Sequence, residues 1–226
     1  MFLGFQRFYL HGRAYPDRPL TPPIAHLVIL HGAAMTGWMV VFLAQPLLIL
    51  AGNRRLHMRV GRIAAVLAAC IVLLGVKLAI EAARAKPPGM LTNGLTATQF
   101  MAIPILSMAM FGGLVGAAVW FRRRPSWHRS LMLLGTLAAL SAAIARIDVL
   151  SGLYAGTFWD RVWGPFFFTA VVAVFLLILQ CLLTRSLDRF FAWGCAGLAA
   201  ALALAFQATT TPAWDTFAQF LLRTTA

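Results

Sequence analysis

The sequence predicts an all-α integral membrane bundle of about six transmembrane helices, folded as three hairpins. Three observations carry this. Of the 226 residues, 61% are hydrophobic and only 11% charged, with a mean hydropathy of +0.82; a soluble domain has roughly 25% charged residues. Apolar runs long enough to cross a hydrocarbon core of about 30 Å recur along the chain. Arginines gather in alternate short loops between those runs, as the positive-inside rule gives cytoplasmic loops. That pattern accounts for the net charge of +13 with no nucleic acid involved, since basic charge alone is weak evidence for such a partner.

The chain divides into a tail (1–23), a transmembrane domain (24–208) and a C-terminal surface helix (209–226). The tail lacks the unbroken apolar core and cleavage site of a signal peptide. Phe2, Leu3, Phe5, Phe8 and Tyr9 would face lipid and Gln6, Arg7 and Arg13 water, as in an interfacial helix; a frayed tail is the alternative. Pro16, Pro19, Pro22 and Pro23 end it.

Six spans follow: 24–51, 63–83, 99–121, 130–150, 162–184 and 190–206. Pro46 and Pro104 fall inside spans, where a kinked membrane helix tolerates them. Gly and Ala recur in the second, third and sixth, which favours close helix approach. One basic loop carries Arg54, Arg55, Arg59 and Arg62, the next Arg122, Arg123, Arg124 and Arg129, and the third Arg185 and Arg189. The alternate connections are richer in Gly, Pro and aromatics such as Tyr154, Trp159 and Trp163, which suit an interfacial belt. The basic loops are therefore expected in the cytoplasm of a bacterium, with the bilayer as inner membrane and both termini outside. Anionic lipids are the expected partners of those loops, and a protein partner or second copy remains open. After the sixth span, Thr211-Pro212 has the form of a helix cap with Pro at the first turn.

The stretch Trp127–Asp148 links the two membrane levels. His128 and Arg146 would lie roughly 27 Å apart along one helix. Its opening, Trp127-His128-Arg129-Ser130-Leu131-Met132, echoes Leu56-His57-Met58-Arg59-Val60-Gly61 at the head of the second span. Arg185-Ser186-Leu187-Asp188-Arg189 occupies the same place in the third hairpin, with Asp where the others have His. These pieces, with Ala143-Ile144-Ala145-Arg146, resemble a bacterial family of multi-pass membrane proteins of no assigned function. That family carries an HRxxG-like foot on one helix, and an HRxxM foot with a distal Arg on a later one. The resemblance spans residues 24 to 150. More distantly, paired His residues in a small helical bundle resemble the transmembrane di-haem cytochromes b. That resemblance implies haem b and electron transfer. This chain departs from the pattern: His57 and His128 stand at span ends, and the outer-side candidates His26 and His31 share one helix.

Two constellations could carry chemistry. At the inner level, His57 and His128 stand among arginines. They are candidates for axial metal ligation of one haem, with Arg on its propionates. The plainer readings carry more weight: interfacial His residues that finish helices, or part of a lipid-attracting basic surface. At the outer level, Lys77 follows His57 by 20 residues and Arg146 follows His128 by 18, so both reach similar depth. With Glu81, Asp148 and His31 they form a candidate pocket for a small polar ligand, a quinone headgroup or a proton relay. The alternative is a salt-bridge network in which Arg146 pairs with Glu81 or Asp148 while Lys77 and Arg84 snorkel outward. Gln45, Trp38 and Gln99 read as packing locks. Cys70, Cys181 and Cys195 lie in apolar runs with no metal or CxxC spacing. Met101, Met108 and Met110 read as core or lipid-facing. No HExxH, GxSxG or P-loop pattern is present. The leading expectation is a cofactor- or ligand-binding membrane protein, with haem-linked electron transfer as its sharpest form. A non-enzymatic scaffold or partner subunit competes with it. A transporter is disfavoured by the apolar middles of the spans.

Overall fold

The computed structural model describes residues 2–14, 18–19, 22, 24–87, 89–92 and 94–224. After a 3-10 turn at Leu3–Phe5 come ten α-helices: α1 (Gln6–His11), α2 (Ile24–Leu50), α3 (Arg54–Arg84), α4 (Ala97–Trp120), α5 (Pro125–Ile144), α6 (Asp148–Gly152), α7 (Phe158–Trp163), α8 (Phe167–Thr184), α9 (Arg189–Ala208) and α10 (Pro212–Thr224). The only strands among the described residues are two-residue pieces at Arg13–Ala14 and Arg18–Pro19. The expected helical bundle is therefore present. Five segments are long and apolar enough to cross a membrane: Ile24–Leu50, Arg54–Arg84, Ala97–Trp120, Phe158–Thr184 and Arg189–Ala208.

The expected span 130–150 is corrected by the structure. α5 starts earlier, at Pro125, and stops at Ile144; it is not among those five. The cause of the stop is local. Had the helix continued, the Arg146 N–H would have bonded the Ala142 carbonyl. Instead the Arg146 guanidinium donates to that carbonyl, and the backbone N–H takes Ala143 O at 3.3 Å, the tighter spacing of a fraying end. A new short helix, α6, then begins at Asp148.

Packing follows chain order. α2 lies on α3, α3 on α4 and α4 on α5, while α5 also contacts α8 and α9. α4 thus separates α3 from α5. One core cluster joins α2 to α5 through Met35, Trp38, Ala64, Ala68, Ile71, Met108, Phe111, Val115 and Ala139. A second joins α4, α5, α8 and α9 around Leu134, Ala138, Phe166, Ala173 and Leu202. Small residues recur in both, because helices in lipid associate by close packing rather than by hydrophobic exclusion.

The three basic turns are tight and lie at one end by chain reversal. Gly52 turns the first at φ +71°. Asn53 accepts from Leu56 N at 3.1 Å, and Asp188 accepts from Phe191 N at 3.0 Å, each capping the helix that follows. Trp127 ties the second and third turns together: it stacks on Phe190 with ring centroids 4.5 Å apart, and the Arg124 guanidinium stands 4.7 Å from its ring.

At the opposite end, Thr211 Oγ1 caps α10 by accepting from Trp214 N at 3.3 Å, as its sequence implied. α10 is more than a surface helix. Trp214 and Ala218 are buried against α3 and α4, and Trp214 Nε1 donates to Thr98 O at 2.8 Å.

Candidate functional site

The inner His residues are held by their own hairpins. His128 sits in the first turn of α5, and its Nδ1 lies 2.8 Å from the Ala118 carbonyl of α4. His57 stands in the first turn of α3, with Nδ1 3.4 Å from the Gln45 carbonyl of α2. With its nitrogen turned toward His57, the Gln45 amide donates to the His57 ring and carbonyl and accepts from Gly61 N at 3.0 Å. Each His therefore pins the foot of one helix to the end of the helix before it. α3 and α5 flank α4, so the two rings belong to different hairpins. Gln45 and Trp38 act as the expected packing locks. Gln99 instead completes a capping box with Thr96 at the start of α4.

The expected outer pocket divides into separate parts. Glu81 pairs with Arg84 at 3.1 Å, and Arg84 Nη2 also donates to Leu222 O at 2.7 Å. Arg84 thus closes the carbonyl end of α10 rather than snorkelling outward. Lys77 is exposed on α3. Asp148 is exposed and pairs with Arg7 at 3.9 Å. Arg146 lies over the Phe5 ring, 4.9 Å from its centroid, besides its bond to Ala142 O. The expected pairing of Arg146 with Glu81 or Asp148 is not among the described ion pairs. Arg84→Ala is expected to cost about 1.5–3 kcal/mol, the range for a hydrogen bond to a charged group, and to free α10 to proteolysis. A protease-resistant α10 in that variant would refute the cap.

The tail supplies what the sequence left out. Gly4 is buried against the end of α5: a Cβ there would collide with Ala143 O. Phe8 packs within reach of Gly32, and Tyr9 Oη lies 2.7 Å from Thr36 Oγ1. Phe5 thus lies under the Arg146 guanidinium and Phe8 beside Gly32, so the tail packs on the ends of α2 and α5 that lie away from the basic turns. Nothing in the spacing of Gly4 or Phe5 signals a contact more than a hundred residues away.

His31 is the member of the outer set that lies inside the bundle. It is half-buried on α2 and interacts with the Ile71 backbone and with the charge of Arg146. Its Nδ1 is buried with no hydrogen-bond partner among the described residues. Gly75 of α3 opens the space beside it: Met108 Sδ would lie 2.8 Å, and His31 Cε1 3.0 Å, from a Cβ placed there. Below, Ser107 and Ser141 face each other at 3.4 Å, each also bonded to its own helix. The half of the α2–α5 bundle away from the basic turns thus carries an imidazole on α2 and two facing hydroxyls on α4 and α5. Outside the spans, Tyr154 is buried under the aromatic belt; burial, then the Asp160 carboxylate, pushes its phenol up to about 12, so it stays neutral. No group of three or more His, Cys, Asp or Glu side chains is placed to hold a metal among the described residues.

No family model, curated protein or solved structure matches the chain.

Proposed function

We propose that this chain is a six-span protein of the bacterial inner membrane that holds a small ligand or cofactor in the outer half of the α2–α5 bundle. His31 contacts the ligand, and Arg146 supplies the neighbouring charge. One observation carries the reading: the buried, unpartnered Nδ1 of His31. An unsatisfied buried polar atom costs about 1–3 kcal/mol, and an ionisable residue inside a span is a functional candidate by default. The tail, seated on Ala143 and Arg146, covers the outer end of this region. α5 is read as the sixth crossing, because its apolar part, though short, is enclosed by α4, α8 and α9. The resemblance to an unassigned multi-pass family is consistent with this reading but adds no ligand.

Native mass spectrometry of the detergent-purified protein tests it. The wild type is expected to carry mass beyond the bare chain, and His31→Phe to lose it. The bare mass in both would leave the charges to packing and make the chain a scaffold. The absorption spectrum of the same sample tests haem. The His128 Nδ1 contact with the Ala118 carbonyl suits a ligating tautomer, because it leaves Nε2 free. A Soret band lost in both His57→Ala and His128→Ala would support one axially ligated haem and electron transfer. A colourless folded protein removes that form of the reading.

The orientation follows from the basic turns. Arg54 and Arg55, with Ala51, Gly52, Asn53 and Met58, line an open cavity at the α2–α3 turn, suited to an anionic lipid headgroup. A periplasm-only reporter is expected to be silent after Arg124 and active after the C-terminus. Activity after Arg124 would invert the topology.

A further inference from the structure

The surroundings of His31 are unusual in being soft as well as apolar. Met35 lies one turn along α2 from His31, on the same face. Met35 and Met108 are buried members of one core cluster, with Met39 and Met132 packed against it. Of nine methionines in the chain, four therefore gather around the helix that carries the unpartnered imidazole. A Met-rich core is ordinarily gap filling. Two features here go beyond that. Met108 Sδ and His31 Cε1 both border the space left by the absent side chain of Gly75, 2.8 and 3.0 Å from where its Cβ would stand, so a thioether and an imidazole face the same notch in α3. The imidazole has a buried lone pair or proton with no protein partner, and the Ile71 backbone beside the ring is the kind of neighbour that fixes the tautomer of a ligating His.

Thioether and imidazole together select soft ions, above all Cu(I), and offer little to hard ions such as Mg²⁺ or Ca²⁺, which demand oxygen. We propose that His31, Met35 and Met108 form a site for one soft monovalent metal ion of the Cu(I) class. The inference rests on the reading of His31 as the ligand-contacting residue and names the class of ligand. Gly75 sets the separation of the two ligand types, and the two sulfurs come from α2 and α4, so binding would clamp those helices across α3.

Ag(I), which shares the charge and ligand preference of Cu(I) without its oxidation, is the probe. Cys70 and Cys181, which are exposed or half-buried, are first replaced by Ala to remove competing thiolates. Titration of the full-length detergent-purified protein against a competing chelator should show one Ag(I) per chain. Affinity should fall at least ten-fold in Met108→Leu and in His31→Leu, and stay unchanged in Met58→Leu, whose side chain is exposed at the inner turn. The Met→Leu changes conserve volume and are well tolerated in cores. X-ray absorption at the silver edge should show nitrogen and sulfur in the first shell of the wild type, a readout that needs no variant to fold. A shell without sulfur, or Met108→Leu binding Ag(I) as the wild type does, overturns the proposal. If a folded wild type binds no Ag(I) yet keeps an organic ligand through His31, the metal assignment fails and the ligand site stands. If neither is bound, both fail.

Discussion

Trp38→Ala is expected to destabilise the folded bundle by about 3–5 kcal/mol, the range for truncating a buried Trp. Trp38 is 2% exposed, and three helices meet on it. Its ring stands edge-on to Phe111 of α4, with centroids 5.0 Å apart at 89°, a geometry that adds to the area it buries. Its Nε1 donates to Thr136 Oγ1 of α5 at 3.3 Å. Thr136 Oγ1 in turn donates to Met132 O at 2.9 Å, so the hydroxyl is used in both directions. Truncation leaves Thr136 its own helix bond but opens a void that α2, α4 and α5 cannot jointly close. Between lipid-embedded helices such contacts are the main source of cohesion. Trp120→Ala is the control, because Trp120 is 79% exposed and its loss removes lipid contact only. Unfolding titrations in mixed micelles would compare the two. Equal midpoints would mean that α2 is held by α3 alone.

Much of this architecture is legible in the sequence because lipid constrains it so strongly. A spanning backbone must satisfy itself, so apolar length marks the helices, and arginine counts mark the turns. The ends of α2, α4 and α9 fall within two residues of the expected spans. The end of α5 does not. At its stop the Arg146 side chain takes Ala142 O, a contact that composition does not reveal. The sites were harder to read, because depth gives one coordinate and packing needs two more. Lys77 and Arg146 match in the sequence by depth alone, yet α4 stands between α3 and α5. Glu81 finds its partner one turn away in Arg84. His57 and His128 sit in corresponding places because both serve corresponding turns. The Met35–Met108 grouping was invisible for a different reason: methionine pattern in an apolar helix carries no face signal, and Gly75, which creates the meeting point, looks like any other small residue in α3.

Gly164→Ala should produce the other large loss, about 2–6 kcal/mol, summing a forbidden backbone region and an overpacked contact. Gly164 joins α7 to α8 at φ +49° and ψ −131°, a combination that side-chain-bearing residues avoid. A Cβ there would collide with the Phe206 ring of α9. The ring cannot simply withdraw, because α7 is fastened to α9 on both sides of it. Gln207 Nε2 donates to the carbonyls of Arg161 and Val162 at 2.7 and 3.0 Å, and Trp163 Nε1 donates to Ala199 O at 2.9 Å. Two other glycines separate the causes. Gly156 has φ +74° but nothing within 4 Å of its would-be Cβ, so Gly156→Ala should cost only the backbone penalty, about 1–2 kcal/mol. Gly113 lies inside α4 with ordinary helical φ and open space, so Gly113→Ala should stabilise by about 0.5–1 kcal/mol. The three Ala variants are thus expected to order as Gly113 above wild type, Gly156 below it, and Gly164 lowest. If Gly164 and Gly156 lose equally, Phe206 yields to the added methyl, and the α7–α9 fastening is weaker than its hydrogen bonds imply.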